Sequence, residues 1–244
     1  TSFILRSNAP STLAFVERTP QTNRYAFYTR GSADATWAPE PLPQLPADCR
    51  FLHFGSISLL QEPAATCIAE LVTANAGRCV IVFDPNVRPS LIPDMAAYRD
   101  RVTDWLAMAD LIKLSDEDAE LLAPGRPVDA LAAECLAAGV RAVIVTRGGA
   151  GATLWRTGHE PLTVAAPRVT VVDTIGAGDT FTAGLSVSLL AHGVEHPARL
   201  GELSDEAWVE VMRFAATAAA LNCTREGADP PTLEAVHAAL AQAR

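Results

Sequence analysis

The feature that most constrains the fold is a set of short apolar runs with no polar residue at alternate positions. Residues 80–83 (VIVF) and 142–145 (AVIV) are uniformly apolar, which is typical of strands buried on both faces. Longer stretches of helical character lie between such runs, including residues 62–76 and 94–108. Strands that alternate with helices predict a parallel sheet covered by helices on both faces. The sequence therefore predicts a layered α/β domain.

A proline-rich stretch marks the start of this domain. Residues 38–47 read APEPLPQLPA, and closely spaced prolines exclude a helix or a central strand there. Two strand-like runs, residues 12–17 and 24–30, precede it. We therefore expect a small β segment over residues 1–45 and the main α/β domain over residues 46–244.

The second half of the domain has a different pattern. Runs at residues 152–156 and 162–166 flank a turn and predict a hairpin at the edge of the sheet. A further strand is expected at residues 169–173. Beyond it the chain is mainly helical, with a long helix predicted at residues 179–191 and another at 204–221.

Composition excludes several classes of function. The formal net charge is −9 and the 19 basic residues are scattered along the chain, so attraction to nucleic acid is not expected. No apolar stretch approaches the ~20 residues that cross a bilayer, and no signal region is recognisable. The five widely spaced cysteines suit free thiols in a reducing compartment. We expect a soluble, cytoplasmic protein with no nucleic-acid or membrane partner.

A glycine turn before a predicted helix carries the most specific chemistry. Residues 171–181 read VVDTIGAGDTF. Gly176 and Gly178 let the backbone approach a ligand closely, and the first amides of a helix have no acceptor within that helix. An anion at this end gains hydrogen bonds and a favourable helix dipole. Asp179 either accepts a proton from an attacking hydroxyl or simply caps the helix.

The string DTIGAGDTF, residues 173–181, resembles the DTxGAGD signature of the PfkB family of carbohydrate kinases. The resemblance implies a ribokinase-like layered α/β/α fold with a mostly parallel sheet and a small β lid. It implies that the backbone of Gly176, Ala177 and Gly178 forms an anion hole and that Asp179 is the catalytic base. ATP and Mg²⁺ are the implied cofactors, and a monovalent cation is left open.

Two other segments resemble the sugar-binding parts of the family. Residues 83–91, FDPNVRPSL, look like the DPNxRPSL segment of bacterial fructokinases, which implies that Arg88 lies near the sugar and the transferred phosphoryl group. The alternative is a surface arginine after a turn. Residues 24–30 are similar to the substrate-facing lid strand, so Tyr28 and Arg30 are candidate sugar contacts, or residues of an exposed or dimer face.

The implied nucleotide and metal sites lie on three further segments. LSDEDAE is similar to the NxxE motif associated with magnesium, with Ser115 in place of Asn and Asp118 in place of Glu. Ser115 is thereby assigned to ATP and Asp118 to magnesium, with Glu117 as the competing candidate. The same residues also predict a capped helix start.

The remaining nucleotide contacts implied by the resemblance come from two glycine-containing segments. TRGGAGA resembles the family's TxGxxG strand end and assigns Thr146, Gly148 and Gly151 to the nucleotide, although a glycine-rich hairpin entry explains them too. Asn222 matches a polar position on the adenine side, with helix capping as the alternative.

Some patterns are absent from the sequence. Lys113 is the only lysine, and its neighbours are Ile112 and Leu114, so a GxxxxGK[ST] phosphate loop is excluded. The dinucleotide fingerprint fails because Leu154 and Phe181 stand where a third glycine is required. The family's N-terminal strand and sugar-binding aspartate are not found, so strands of the sheet are expected to lack partners in this chain.

The expected function is ATP-dependent phosphorylation of a sugar, most like fructokinase acting on the 6-hydroxyl of fructose. Two alternatives stay open: a 2-keto-3-deoxygluconate kinase, in which Arg30 would contact the sugar acid, and a non-catalytic nucleotide- or sugar-binding member. A homodimer formed through the lid strands is also implied by the resemblance.

Overall fold

The computed structural model describes residues 4–18 and 23–242. Residues 1–3, 19–22 and 243–244 of the two expected segments lie outside this part. The described strands are β1 (Leu13–Arg18), β2 (Asn23–Tyr28), β3 (Phe51–Gly55), β4 (Val80–Asp84), β5 (Leu111–Ser115), β6 (Ala142–Thr146), β7 (Ala152–Trp155) and β8 (Leu162–Val164). The described α-helices are α1 (Ala64–Asn75), α2 (Met95–Ala107), α3 (Asp116–Leu122), α4 (Val128–Ala137), α5 (Ala177–Ala191), α6 (Asp205–Asn222) and α7 (Leu233–Gln242).

The larger sheet has the order β3-β4-β5-β6-β7-β8. Neighbours from β3 to β6 are parallel, whereas β7 and β8 form the antiparallel hairpin predicted for the sheet edge. Leu111 pairs with Ala142 and Ser115 with Thr146, so the carboxyl ends of β5 and β6 lie level with each other. The mostly parallel layered α/β fold is confirmed.

Both faces of β4, β5 and β6 are buried, as the uniformly apolar runs of β4 and β6 predicted. On β4, Ile81 and Phe83 belong to the core beneath α1 and α2. Val80 and Val82, between them in sequence, belong to the core beneath α5 and α6. Burying one such side chain contributes roughly 1.5–3 kcal/mol. Because successive side chains of a strand point to opposite faces, one apolar run contributes to both cores.

The strand expected at residues 169–173 is wrong. This segment is neither helix nor strand, and Val171 and Val172 are exposed. The N–H groups of Val172 and Asp173 donate instead to the carbonyl of Cys223 at 2.8 and 3.3 Å. Because the end of α6 supplies this one acceptor, the segment crosses towards α6 without pairing with a strand.

The β1–β2 hairpin forms a separate antiparallel sheet, in which Leu13 pairs with Tyr28. The proline-rich residues 38–47 contain no helix or strand, as predicted. Within the described residues β3 hydrogen-bonds to β4 only, so its other edge has no strand partner there. The division at residue 45 remains a prediction.

Two further predictions concern the cysteines and the membrane. All five cysteines are free, and Cys79 and Cys135 are buried. Burial raises the pKa of each of these two thiols to about 11. In the described part of the chain, no helix combines the length and hydropathy needed to cross a bilayer.

Two adjacent leucines of α5 test the core beneath this helix. Leu189 is fully buried, whereas Leu190 is exposed. We expect Leu189→Ala to lower the free energy of unfolding by about 2–5 kcal/mol because it leaves a cavity. Leu190→Ala, the matched control, should change it by less than about 0.5 kcal/mol. Urea denaturation measures both values, and similar losses for the two variants would contradict the assigned packing.

Candidate active site

The turn before α5 has a backbone that requires glycine. Gly176 precedes the helix with φ 74° and ψ 4°, in the left-handed region. A Cβ at this position would lie 2.9 Å from the Cβ of Ala228, on the loop after α6. The turn is therefore restricted both by its own conformation and by close packing against that loop.

Two buried polar side chains hold this turn in place. Asp173 accepts hydrogen bonds from the N–H of Ile175 at 3.0 Å and from the N–H of Gly227 at 2.9 Å. The Asn222 amide donates to the carbonyl of Ile175 at 2.8 Å. Asn222 therefore bridges α6 to the glycine turn, and its Oδ1 has no partner among the described residues.

Helix α5 begins two residues earlier than predicted, so Asp179 is its third residue and not its cap. Gly176 occupies the cap position, and the interpretation of Asp179 as a helix cap is wrong. The Asp179 side chain is exposed and has no hydrogen bond or ion pair with any described residue. A carboxylate in this state is available to accept a proton.

The backbone amides around Asp179 are partly free. The N–H of Ala177 donates to the carbonyl of Thr174 at 3.2 Å. The N–H groups of Gly176, Gly178 and Asp179 have no acceptor in residues 4–18 and 23–242. This end of α5 therefore presents unpaired donors and the positive end of a helix dipole, the combination that binds anions.

Three polar side chains of neighbouring strands lie beside this turn. They are His53 of β3, Asp84 of β4 and Lys113 of β5. The Lys113 ammonium donates to Asp84 Oδ2 at 2.9 Å. Burial raises the pKa of Asp84, and the ammonium opposes this rise. Loss of hydration lowers the pKa of His53, while the carboxylates of Asp84 and Asp179 oppose that change.

None of these three residues is among the site residues predicted from the sequence. A usable signal was present, because Asp84 ends the apolar run of β4 and Lys113 interrupts that of β5. A charge at the end of a doubly buried strand faces either a partner or a ligand.

Ser115 and Asp118 form the capped helix start predicted from the sequence. The Ser115 Oγ accepts from the N–H of Asp118 at 3.0 Å, while Asp118 Oδ2 accepts from the N–H and hydroxyl of Ser115 at 3.0 and 2.8 Å. The other oxygen, Asp118 Oδ1, accepts from the N–H of Val87 at 2.8 Å. Asp118 is buried, whereas Glu117 is exposed. Asp118 therefore ties α3 to the loop that carries Arg88.

Arg88 lies on the loop that follows β4. Arg88 is half-buried, and its Nη1 donates to the carbonyl of Val87 at 3.1 Å. Its charge and that of Asp118 both act on the pKa of Tyr98, which burial raises to about 12. Arg88 directly follows Val87, whose N–H donates to Asp118 Oδ1.

Thr146 is the last residue of β6, and Gly148 and Gly151 follow it in the entry to the hairpin. Thr146 Oγ1 donates to the carbonyl of Leu114 at 3.4 Å. Gly148 is exposed, with φ 47°. At Gly151, with φ 95°, a Cβ would lie 2.0 Å from the carbonyl oxygen of Val164, so Gly151 is required by the hairpin entry.

The two lid candidates lie apart from these residues. Tyr28 is 65% exposed, and its ring packs edge-on against Phe15 at 5.7 Å between centroids. Arg30 is exposed after β2. Within the described residues, neither side chain makes a hydrogen bond or ion pair with the residues around Asp179.

A sequence profile of the pfkB family carbohydrate kinases matches residues 1–235. The chain belongs to this family. A fructokinase of Rhizobium leguminosarum bv. trifolii is 39% identical over 198 residues, which cover 81% of this chain and 60% of the relative. A fructokinase of Klebsiella pneumoniae is 36% identical over 206 residues, covering 84% of this chain and 64% of the relative. This pfkB family chain thus spans less than two thirds of the length of either relative.

Solved structures of related kinases have the same fold. A fructokinase from Xylella fastidiosa with bound ATP is similar with a TM-score of 0.85 and 26% identity, over 98% of this chain and 76% of that one. A putative ribokinase II from E. coli in complex with ATP and Mg²⁺ is similar with a TM-score of 0.73 and 25% identity, over 94% and 70%. The ribokinase-like fold of this pfkB family chain is therefore confirmed.

Glycine substitutions separate the close packing at the turn from backbone strain alone. Gly193, after α5, has φ 77° and no atom within 4 Å of a Cβ position. We expect Gly193→Ala to lower the free energy of unfolding by about 1 kcal/mol, from left-handed strain alone. Gly176→Ala should cost at least about 1 kcal/mol more because Ala228 must move. Equal losses in urea denaturation would contradict the close packing at Gly176.

Proposed function

We propose that the protein containing this chain is an ATP-dependent sugar kinase that phosphorylates the 6-hydroxyl of fructose. The observation that carries the proposal is the first turn of α5, where an exposed, unpaired Asp179 stands beside backbone amides without acceptors. Family membership and the two fructokinase relatives support the same activity. A kinase needs both features together, because the phosphoryl group held by the amides and the hydroxyl that loses its proton to the carboxylate react with each other.

The proposed chemistry is a single phosphoryl transfer. The sugar hydroxyl oxygen forms a bond to the terminal phosphorus of ATP, and the bond from that phosphorus to the bridging oxygen breaks, releasing ADP. Asp179 accepts the hydroxyl proton. The backbone of Gly176, Ala177 and Gly178 forms the anion hole, with the unpaired amides donating to the phosphoryl oxygens. Most of the rate enhancement then comes from positioning and preorganised charge.

The other assignments are part of the proposal. Arg88, on the loop held by Asp118, is placed near the transferred group, since a guanidinium fork binds two oxygens at once. We assign Ser115, Thr146, Gly148 and Gly151 to the nucleotide. Asn222 joins them, because its buried Oδ1 is without a partner in the described chain and lies near the turn.

The acidic residues are compatible with a Mg²⁺ ion that is bound mainly by phosphate oxygens and water molecules. No cluster of three or more metal-ligating side chains occurs in the described residues, and Mg²⁺ in kinases is usually bound by one or two carboxylates with substrate phosphates and waters. Both oxygens of Asp118 accept hydrogen bonds, so we assign it contact through water, with exposed Glu117 as the alternative. Bound Mg²⁺ would neutralise phosphate charge. A monovalent cation remains a prediction.

We also propose a homodimer and a cytoplasmic location for this protein. Leu13, Phe15 and Tyr28 expose apolar surface on the β1–β2 hairpin, which supports a homodimer formed through these lid strands. Tyr28 and Arg30 are assigned to the sugar as lid residues, with the exposed or dimer face as the alternative role. A cytoplasmic location is supported by the five free cysteines.

Asp179→Asn tests the catalytic base. We expect kcat to fall about 10²- to 10⁴-fold, because the amide cannot accept the hydroxyl proton. The affinity for ATP, measured by calorimetry, should stay within about threefold if the change removes only a transition-state interaction. Glu206→Gln, an exposed acid in the first turn of α6, is the control and should leave kcat unchanged. Turnover of the Asn variant at the wild-type rate would reject the assignment.

A substrate comparison separates fructose from 2-keto-3-deoxygluconate. The second candidate is kept because Arg30 is an exposed cation at the end of a lid strand, and a sugar acid needs such a contact for its carboxylate. We expect a higher kcat/KM for fructose, and Arg30→Ala should lower it by less than it lowers the value for the sugar acid, because fructose has no carboxylate for the arginine to bind. Arg213→Ala, an exposed arginine of α6, is the control. Preference for the sugar acid, lost in Arg30→Ala, would support the alternative.

The same assay covers the non-catalytic possibility. Calorimetric binding of ATP by the complete gene product, without phosphoryl transfer to either sugar, would reject the kinase proposal and favour a binding role.

A further inference from the structure

Lys113 and Asp84 form a buried ion pair on the face of the sheet that α5 covers. Val82 and Leu111, each two residues earlier on its strand, belong to the core beneath α5 and α6. Since side chains alternate along a strand, Asp84 and Lys113 point to that same face. The ammonium and carboxylate oxygen are 2.9 Å apart. The only lysine of the chain is thus placed in the mainly apolar layer between the sheet and α5.

Stability does not explain this pair. Each residue is only 4% exposed, and removing two charges from water costs more than their attraction often returns, so apolar replacements of buried pairs are frequently neutral or stabilising. Asp84 Oδ1 moreover has no hydrogen-bond partner among the described residues. A buried carboxylate with one unused oxygen is incompletely compensated, which is more typical of functional sites than of structural ones.

The pair lies directly against the first turn of α5. A Cβ built on Gly178 would lie 3.1 Å from Lys113 Nζ. Cα–Cβ bonds of a helix tilt towards its N-terminus, so the ammonium is at the end of α5 that presents the unpaired amides. Gly178 does not have a left-handed backbone. Its lack of a side chain therefore leaves room for the lysine.

Two carboxylates lie beside the turn. Asp84 accepts a hydrogen bond from the ammonium of Lys113, and Asp179 is in the first turn of α5 with Gly178. A phosphoryl group entering this place brings further negative charge. Lys113 is a fixed positive charge beside the glycine that would contact that group.

We propose that Lys113, held in place by Asp84, is a positioning residue for phosphoryl transfer. Its ammonium supports the Gly178 turn from the sheet side and offsets the surrounding carboxylates, so that the unpaired amides hold the charge that develops on the phosphoryl oxygens. This inference rests on the proposed kinase function.

The test removes both charges together in the complete gene product. Lys113→Met alone would leave Asp84 buried without its partner and risk misfolding. The double variant Asp84→Asn/Lys113→Met avoids this, and we expect it to fold with a urea midpoint close to that of the wild type. Its kcat should fall about 10- to 100-fold, by analogy with the loss of one preorganised donor. Affinity for ATP should fall about threefold and that for ADP stay unchanged, because only ATP carries the transferred group.

A second ion pair provides the matched control. Arg156, the residue after β7, is buried against Trp208 and donates to the exposed Asp205 of α6 at 2.6 Å. Asp205→Asn/Arg156→Met removes a second ion pair with a buried cation, and neither residue makes a hydrogen bond or ion pair with the described residues around Asp179, so kcat should stay within about twofold. A folded Asp84→Asn/Lys113→Met variant with wild-type kcat would overturn the inference, as would an equal loss in the control.

Failure of the inference is distinguishable from failure of the kinase proposal. If the wild type transfers phosphate and the double variant equals it, only the role of Lys113 is rejected. If the wild type transfers phosphate to no sugar, the proposed function fails, and the ratio of ATP to ADP affinity decides about Lys113. A ratio that is the same in wild type and double variant would then reject it.

Discussion

Burial of both faces of strands β4 to β6 is the constraint on which the rest of the structure depends. Helices α1 and α2 cover one face and α5 and α6 the other, so apolar side chains fill each strand from Val80 to Phe83 and from Ala142 to Val145. Polar groups are then costly anywhere except near the strand ends. Function in such a sheet is confined to the edge where the parallel strands finish.

At that edge the protein concentrates charge around one glycine turn. The turn is fixed by Asp173 and Asn222. Both side chains form hydrogen bonds with the backbone of the turn, and Asp173 also accepts one from the α6–α7 loop. The Lys113–Asp84 pair lies against Gly178 from the sheet side, and exposed Asp179 is on the same helical turn. Backbone amides, one cation and one free carboxylate are thus brought together by elements that are distant in sequence.

Much of the fold was predictable because local patterns decide it. Uniform apolar runs placed β4 and β6, and the serine followed by acids placed the capped start of α3 at Ser115. Two local predictions failed for a common reason. Residues 169–173 look like a strand but donate to the carbonyl of Cys223, and Asp179 looks like a cap but follows Gly176, which the loop at Ala228 holds in place. In one case the hydrogen bonds come from Cys223 at the end of α6, and in the other the contact comes from the loop that follows it; sequence periodicity locates neither.

The sequence by itself determined most of the succession of strands and helices along the chain and the burial of the apolar strands. It also determined the glycine turn followed by a carboxylate, because each of these features follows from residue type and short-range spacing. Only the tertiary structure decided that Lys113 pairs with Asp84, that both lie beneath Gly178, and that Asp118 uses both oxygens to hold α3 and the Arg88 loop. These contacts join residues that lie on different elements. They depend on the spatial order of strands and the facing of helices, which no local pattern specifies.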